Sequence, residues 1–201
     1  MLRLIAQASR DRDCEVNALC LMPNHLHDLS TPPSIEAAST CVANFAQRWA
    51  QRRNAKRNGS GKLFEGRFYS KPVTSEHQLA ATTVYIEANP IRAGIVSDPL
   101  DYPWSTYALH AGCVDQSKIP PDMWTPSPWY LSLGADSDAR AGLYREIFAN
   151  YVARDHRPDH ADEVDRIEAM AWSPDTRHLR RPDGSRAAEP RPNDWTFASR
   201  S

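Results

Sequence analysis

The sequence predicts an α+β fold in which helices pack on an antiparallel sheet. Residues 15–22 alternate apolar and other side chains, which is the periodicity of a half-buried strand. A Pro23-Asn24 turn then joins this segment to a second strand at 25–29, so the two predict a tight hairpin. Residues 34–57 carry apolar side chains at helical spacing, which places a long helix directly after the hairpin.

The remaining elements follow in order along the chain. Residues 1–9 form the end of an amphipathic helix that precedes the hairpin. The aromatic-rich segment 62–73 predicts a further strand. A second helix starts with the capping pair Ser75 and Gln78 and runs to about Asn89, since a proline at 90 limits its continuation.

Composition divides the 201 residues into three regions. Residues 1–112 hold the hairpin, the two helices and the motifs described below, and we assign them to one domain. Residues 113–152 form a helical extension, with a helix predicted at 138–152. Residues 153–201 are rich in arginine, proline and acidic side chains, so we expect a tail that is largely disordered or loosely docked.

Several protein classes are excluded by composition. Mean hydropathy is −0.61, and no segment approaches the roughly 18–20 apolar residues of a membrane span. The first residues lack the features of a secretory signal. The four cysteines form no C-x-x-C pair, which argues against a zinc ribbon or a thioredoxin-type motif. We therefore expect a cytoplasmic protein with reduced thiols and no membrane partner.

The net charge of −1 conceals a strongly basic segment. Between positions 48 and 71, eight basic side chains stand against one acid. Such a concentration is typical of a protein that binds a polyanion, although charge runs are more often simply solvated. The basic residues are Arg48, Arg52, Arg53, Lys56, Arg57, Lys62, Arg67 and Lys71.

The segment Met22-Pro23-Asn24-His25-Leu26-His27 contains a candidate metal site. Side chains alternate faces along a strand, so His25 and His27 point the same way and can bind one divalent ion together. Tyr85 and Asn89 are four residues apart and share one face of the later helix. Taken singly, each of these residues is more often structural, so the pattern alone leaves the function open.

Four motifs in this order resemble those of the REP-associated tyrosine transposases, the single-tyrosine branch of the HUH (His-hydrophobe-His) endonucleases with an IS200-like domain. The motifs are MPNHLH, GKLFEGRFYS, YIEANPIRAGIV and DYPWSTY, and the resemblance covers roughly residues 1–150. It implies a ferredoxin-like antiparallel sheet. It also implies that His25, His27 and Asn89 bind Mg²⁺ or Mn²⁺ and that Tyr85 is the nucleophile.

The implied substrate is single-stranded DNA folded into hairpins. Tyr85 would attack a phosphate, leaving a 5′-phosphotyrosine link and a free 3′-OH, and reversal would rejoin the strands. The basic segment would hold DNA phosphates, and the action would take place at the bacterial nucleoid. The oligomeric state cannot be read from the sequence.

Two departures from the family pattern bear on activity. The family domain begins with a strand that precedes the helix at 1–9, and in the implied sheet that strand lies beside the histidine-bearing strand. Its absence would expose an unpaired strand edge and part of the core. Either the true start lies upstream, or the chain is a decayed remnant, or a partner fills the gap. Asp28 stands where the family favours an aliphatic residue, and it shares the face of Leu26, which should be buried.

Three functions are consistent with these observations. The first is a metal-dependent transposase that cleaves single-stranded hairpin DNA. The second is an inactive remnant that binds DNA hairpins without cleaving them, which both departures favour. The third is an unrelated metallohydrolase that uses His25 and His27; it needs a third His, Asp or Glu ligand and has no need of Tyr85.

Overall fold

The α+β fold is confirmed by the structure. A computed structural model describes residues 1–64 and 68–154, with Tyr69 and residues 196–200 described by their backbone. The helices and strands are α1 (Leu2–Arg10), β1 (Glu15–Leu21), β2 (Leu26–Thr31), α2 (Ile35–Arg57), β3 (Tyr69–Val73), α3 (Glu76–Arg92), α4 (Tyr107–His110), α5 (Pro128–Leu131), α6 (Ser137–Arg154) and β4 (Thr196–Arg200). Within these described residues, no helix is both long and apolar enough to span a bilayer.

The sheet has the strand order β1-β2-β4-β3, and each neighbouring pair is antiparallel. Since β2 and β3 are both antiparallel to β4, they run parallel to each other, and α2 is the helix that crosses between them. The pairing of β1 with β2 is irregular between Val16 and Ala18, where a bulge shifts the register.

Each face of the sheet is covered by a different helical layer. On one face, α1 and α2 pack against Val16 and Leu26, with Phe45 of α2 buried between the layers. On the other face, Ile86 of α3 packs against apolar side chains of β1 and β2 such as Cys20. Because the sheet is buried on both sides, β1 is buried almost throughout rather than on alternate residues.

A third core joins α3 to the helices that follow it. Tyr107, Trp129, Tyr144 and Phe148 are buried around Ala88 of α3. This core therefore contains residues from both sides of position 112.

A buried polar network ties the same helices together. Glu87 of α3 is fully buried, and its carboxylate accepts hydrogen bonds from the hydroxyls of Thr106 and Tyr144. The same carboxylate lies 2.7 Å from Nδ1 of His110, and the His110 ring stacks on Tyr144. Buried carboxylates require such partners, so Glu87 fixes α3 against α4 and α6.

The helix termini follow the capping signals of the sequence. The hydroxyls of Ser34 and Ser75 accept hydrogen bonds from backbone N–H groups at the starts of α2 and α3. Gln78 accepts a hydrogen bond from the Thr74 N–H at 2.9 Å, which completes the predicted capping arrangement one residue earlier than a standard box. Asn58 ends α2 in the left-handed conformation, with φ of 49°.

The prediction that α3 stops before Pro90 is wrong. The helix continues to Arg92 with Pro90 inside it. A proline removes the N–H that would bond to the carbonyl four residues earlier, which here is Ile86. The side-chain amide of Asn89 donates to that carbonyl at 3.3 Å and to the Tyr85 carbonyl at 2.9 Å, which explains why the helix tolerates the proline.

Two further segments differ from the expectations. The strand expected over 62–73 is limited to Tyr69–Val73. Most of the tail expected to be largely disordered or loosely docked, residues 155–195 and 201, lies outside the described residues; of the rest, 153 and 154 end α6 and residues 196–200 form β4. The backbone of β4 pairs with strands on both sides, and this pairing is a tertiary contact that composition does not reveal. Its place beside β2 is where the family resemblance puts a first strand.

Candidate functional site

The two histidines meet at the end of the sheet where β2 begins. Their Nε2 atoms lie 3.0 Å apart, and the rings meet edge to face with centroids separated by 4.7 Å. His27 is buried within β2, whereas His25 lies in the turn just before it and is partly exposed. The hairpin therefore brings the two ring nitrogens together at an edge that solvent reaches.

Asn24 fixes the orientation of the His25 ring. Its side-chain oxygen lies 2.7 Å from Nδ1 of His25. An amide oxygen only accepts hydrogen bonds, so Nδ1 carries the proton and Nε2 keeps a lone pair. A hydrogen bond of this kind to the outer ring nitrogen is what usually orients a metal-binding histidine.

The spacing of the histidines fits a small divalent cation. Two ligands at about 2.1 Å from an octahedral ion, set at right angles, lie about 3.0 Å apart. The observed separation of 3.0 Å between the Nε2 atoms agrees with this value. In the part of the chain that the structure describes, no cluster of three or more His, Cys, Asp or Glu side chains is suited to a metal. Further ligands would therefore come from an amide, a substrate oxygen or water.

Tyr85 of α3 lies next to the histidine pair. Its ring meets that of His27 edge to face, with centroids 5.8 Å apart. Tyr85 is 6% exposed and belongs to the core between α3 and the sheet. The guanidinium carbon of Arg92, two helical turns later, lies 5.0 Å from the centre of the tyrosine ring. The guanidinium therefore makes a cation–π contact with the Tyr85 ring.

Asn89 is one turn beyond Tyr85 and is buried. Its amide nitrogen is engaged by the carbonyls of Tyr85 and Ile86, as described above. The side-chain oxygen is thus the atom left for a cation, which is the correct donor type for Mg²⁺ or Mn²⁺. The structure brings the rings of His25, His27 and Tyr85 into contact, whereas the hydrogen bonds of the Asn89 amide run along its own helix.

The predicted DNA-binding residues of α2 lie on the opposite face of the sheet from Tyr85. Helix α2 belongs to the core that contains α1, and α3 belongs to the core on the other side. Four of the basic side chains of α2 are exposed and Arg53 is partly buried, with its guanidinium 5.9 Å from the Trp49 ring. Arg48 also lies 3.8 Å from Asp11, an exposed ion pair of little energetic value.

Helix α2 nevertheless runs toward the end of the sheet that holds the histidines. A helix that crosses between parallel strands returns the chain to the end where both strands begin. Here those beginnings are His27 on β2 and Tyr69 on β3, since both pair with residue 200 of β4. The topology therefore directs the C-terminal end of α2, with Arg53, Lys56 and Arg57, toward the end of the sheet that holds the histidines.

The remaining residues of the basic segment are placed less uniformly. Lys62 is exposed after α2, and Lys71 is partly buried in β3. Arg67 lies outside the described residues. Phe64 and Phe68, two aromatic side chains of the same segment, are both partly buried.

Asp28 occupies the face of β2 that packs toward α2, as strand alternation predicts. Its Oδ2 accepts a hydrogen bond from the Ser30 hydroxyl at 2.7 Å, while its Oδ1 is buried without a hydrogen-bond partner among the described residues. Burial raises the pKa of Asp28 to about 6, against a smaller lowering by Ser30. A small cavity of about 40 Å³, lined by residues that include Cys14 and Cys41, adjoins the carboxyl group.

Two residues of the site were missed in the sequence analysis. Asn24 was treated only as a turn residue, although a polar side chain directly before a candidate ligand was a usable signal. Arg92 was not considered, although its spacing of seven residues from Tyr85 puts both on one helical face.

Comparison with known proteins gives a family for the first part of the chain. Residues 1–89 match the family model described as "Transposase IS200 like". A REP-associated tyrosine transposase of Escherichia coli (strain K12) is 28% identical over 110 residues, which cover 53% of this chain. The matched region spans 63% of that relative's length. No solved structure matches the chain significantly.

The matched residues include the histidine pair, Tyr85 and Asn89, which are the residues that the geometry places at one end of the sheet or beside it. The family resemblance found in the motifs is thus confirmed by an independent comparison. Residues 1–89 of this chain are thus similar to the IS200-like transposases, and the chain spans less than two thirds of the length of the transposase it matches.

Proposed function

We propose that the chain is a metal-dependent DNA transposase that cleaves single-stranded hairpin DNA through a covalent link to Tyr85. The observation that carries the proposal is the convergence of His25, His27 and Tyr85 at one edge of the sheet, with 3.0 Å between the Nε2 atoms and 5.8 Å between the His27 and Tyr85 rings. Similarity to the IS200-like transposases supports the same interpretation.

The proposed step exchanges one phosphodiester for another. The oxygen of Tyr85 attacks phosphorus, the phenolic proton leaves to solvent, and the bond from phosphorus to the 3′ oxygen of the preceding nucleotide breaks. That 3′ oxygen takes up a proton, so the products are a free 3′-OH and DNA joined by its 5′ phosphate to Tyr85. Because one ester replaces another, the reverse reaction rejoins strands without an external energy source.

In the proposed step, different residues of this chain bind the metal, orient a ligand and supply positive charge. His25, His27 and the oxygen of Asn89 would hold Mg²⁺ or Mn²⁺, which when bound supplies polarisation of a phosphate oxygen. Asn24 keeps the His25 lone pair directed at the cation. Arg92 supplies positive charge beside the attacking phenol.

The DNA path follows from the placement of the basic residues. The exposed side chains of α2 lie on the opposite face of the sheet from Tyr85, and the helix runs toward the end that holds the histidines, so we propose that DNA passes around that end. The helix would hold phosphates away from the cleaved bond, while the cleaved phosphate sits between Tyr85 and the histidines. This arrangement lets one protein bind a hairpin and a neighbouring single strand at the same time.

A second candidate function is binding of hairpin DNA without cleavage. The burial of Tyr85, which is only 6% exposed, favours it because a nucleophile must reach its phosphate. The third function considered, an unrelated metallohydrolase, gains no support, since the described residues offer the histidine pair no third His, Cys, Asp or Glu ligand.

The test is a nicking assay on labelled single-stranded hairpin DNA with Mn²⁺. We expect the wild-type protein to release a fragment ending in 3′-OH and to retain the other fragment covalently. Tyr85→Phe should abolish both products. Tyr107→Phe, which removes a hydroxyl from a tyrosine in the third core, between α3 and the later helices, should keep them. His25→Ala and His27→Ala should raise the Mn²⁺ concentration needed by at least about tenfold.

The outcomes separate the candidate functions. Cleavage that survives Tyr85→Phe would overturn the covalent mechanism. Retention of the hairpin in a native gel with no product under any condition would establish the binding function instead.

A further inference from the structure

Two of the four cysteines meet in the core between the sheet and the helices α1 and α2. Cys14 lies directly before β1 and Cys41 lies in α2, and both side chains are buried. Their thiols are hydrogen-bonded to each other. The buried hydroxyl of Ser9 lies 3.8 Å from the Cys41 sulfur, and the Ser9 carbonyl accepts a hydrogen bond from the Cys14 N–H at 2.9 Å. Ser9 therefore holds both members of the pair.

The cavity of about 40 Å³ described beside Asp28 adjoins both thiols. A cavity holds one water molecule once about 10–15 Å³ is free, so this one has room for a solute larger than water, such as hydrogen peroxide. One wall is formed by Ile35, the first residue of α2, which is 63% exposed. The cavity thus lies beside the surface, and a small solute needs only a short path to the buried thiols.

The hydrogen bond between the thiols acts in opposite directions on the two groups. It lowers the pKa of Cys41 below its ordinary value, more than burial raises it, and the Ser9 hydroxyl adds to this lowering. It raises the pKa of Cys14, and burial adds to that effect. The carboxylate of Asp28, which also lines the cavity, disfavours both thiolates by a smaller amount. Since the thiolate is the nucleophile in thiol oxidation, Cys41 is the member of the pair that reacts first.

The other two cysteines lack this environment. Burial raises the pKa of Cys20, whose thiol donates to the sulfur of Met22 at 3.6 Å. Cys113 is partly exposed, and its thiol donates to the carbonyl of Ala111 at 3.7 Å. Exposure alone would make Cys113 the most reactive of the four thiols, whereas the paired environment favours Cys41.

We propose that Cys14 and Cys41 are a modification site for hydroperoxides, in which Cys41 is oxidised first and Cys14 then closes a disulfide with it. The Cys41 sulfur attacks one oxygen of hydrogen peroxide, the O–O bond breaks, and the departing hydroxide takes up the thiol proton and leaves as water. This step converts Cys41 to a sulfenic acid. The Cys14 sulfur then attacks the Cys41 sulfur, the S–O bond breaks, and a second water leaves with the Cys14 proton. Two thiols lose two electrons to form one disulfide, and the peroxide is reduced to two waters.

The disulfide would join the start of β1 to α2. The loop that it closes runs from position 14 to position 41 and contains the whole β1–β2 hairpin with His25 and His27. A cross-link restricts the separations that such a loop can reach. Oxidation would therefore fix the histidine-bearing hairpin against α2, and reduction by a thiol would release it.

Oxidation of the wild-type full chain by hydrogen peroxide tests the proposal. Free thiols are blocked with iodoacetamide after increasing times, and the protein is cleaved after glutamate. This cleavage places the four cysteines on separate peptides, since at least one glutamate lies between each successive pair. We expect the peptide that ends at Glu15 to become joined to peptide 37–65, with Cys41 lost from the free thiols at least about tenfold faster than Cys113. Faster loss of Cys113 or Cys20, or a link between two chains, would overturn the proposal.

Matched serine variants assign the two roles. In Cys14→Ser a hydrogen-bonding group remains beside Cys41, so a sulfenic acid should accumulate at Cys41 and be trapped by dimedone, with no disulfide. In Cys41→Ser the Cys14 thiol should stay reduced, and Cys113→Ser should form the disulfide at the wild-type rate. Oxidation of Cys14 in the Cys41→Ser variant would contradict the assigned order. The wild-type experiment needs no variant, so it decides the matter even where a variant fails to fold, and no readout depends on the proposed DNA cleavage.

Discussion

At the scale of single residues, Asn89 has a structural task beside its proposed chemical one. Its amide nitrogen donates hydrogen bonds to the carbonyl oxygens of Tyr85 and Ile86. The bond to Ile86 replaces the one that the missing N–H of Pro90 would have made. The sequence Asn-Pro in the last turn of a helix is therefore explained without any ligand. The side-chain oxygen remains available, so the two roles use different atoms of one residue.

Asp28 lies in an environment that disfavours its ionised form. Burial raises its pKa to about 6, so the folded state holds this proton more tightly than the unfolded state does. Stability from this group is therefore present below about pH 4 and is lost as pH rises through about 6. At neutral pH the fold carries the cost of a buried carboxylate.

Asp28→Asn should raise the free energy of unfolding at pH 7.5 by up to about 3 kcal/mol, since one pKa unit corresponds to about 1.4 kcal/mol. The gain should vanish at pH 4, where the native carboxyl is neutral. Urea unfolding at both values measures it, with Asp122→Asn on the surface as a control that changes stability by less than about 0.5 kcal/mol. A gain independent of pH, or a loss, would contradict this account of Asp28.

Arg92 offers a test of charge at the nucleophile. A cation over an aromatic ring is worth about 0.5–2 kcal/mol, so Arg92→Gln should slow formation of the Tyr85 adduct by roughly tenfold. Arg92→Lys keeps the charge and should slow it less. Single-turnover rates on hairpin DNA provide the measurement, and Arg154→Gln at the exposed end of α6 is the control. Equal rates for Arg92→Gln and the control would remove Arg92 from the mechanism.

At the scale of elements, α2 and α3 perform separate tasks on opposite faces of one sheet. Helix α3 carries Tyr85, Asn89 and Arg92 and is fixed from behind by the Glu87 network. Helix α2 carries the basic side chains and approaches the site only at its C-terminal end. Two helices that converge on one edge from different sides suit a substrate with a duplex and a single-stranded part.

The basic end of α2 should contribute to affinity by binding DNA phosphates. The double variant Arg53→Glu/Arg57→Glu should weaken hairpin binding and lower the slope of log affinity against log salt by about 0.7 for each single-strand phosphate that is no longer neutralised. The control Lys118→Glu/Arg154→Glu makes the same change in net charge on other exposed positions. Titrations at several salt concentrations measure both. If the two double variants lower affinity and slope equally, α2 is not a specific DNA-binding surface.

At the scale of the whole molecule, the local elements could be predicted from sequence and the long-range contacts could not. The hairpin, α2 and the start of α3 follow from periodicity and capping residues close together in the chain. The passage of α3 through Pro90 depends on a side-chain hydrogen bond, and β4 depends on partners far away in sequence. The placement of α2 and Tyr85 on opposite faces also needs the complete topology.

The site shows the same division. Strand alternation predicted that His25 and His27 point the same way, and the 3.0 Å between their Nε2 atoms agrees with that. The contact between His27 and Tyr85 joins residues almost sixty positions apart, and only the family resemblance anticipated it. Asn24 and Arg92 contribute through orientation and charge rather than through a motif.

The central claim is that Tyr85 is the residue that becomes joined to DNA. The most direct measurement incubates the full chain with Mn²⁺ and hairpin single-stranded DNA, digests the product with nuclease and trypsin, and sequences the modified peptide by mass spectrometry. The peptide that contains Tyr85 also contains Tyr69, so fragment ions must locate the nucleotide. We predict a nucleotide phosphate on Tyr85 that requires the metal and is absent after His27→Ala. A nucleotide on Tyr69, or no covalent product at any metal concentration, would contradict the account.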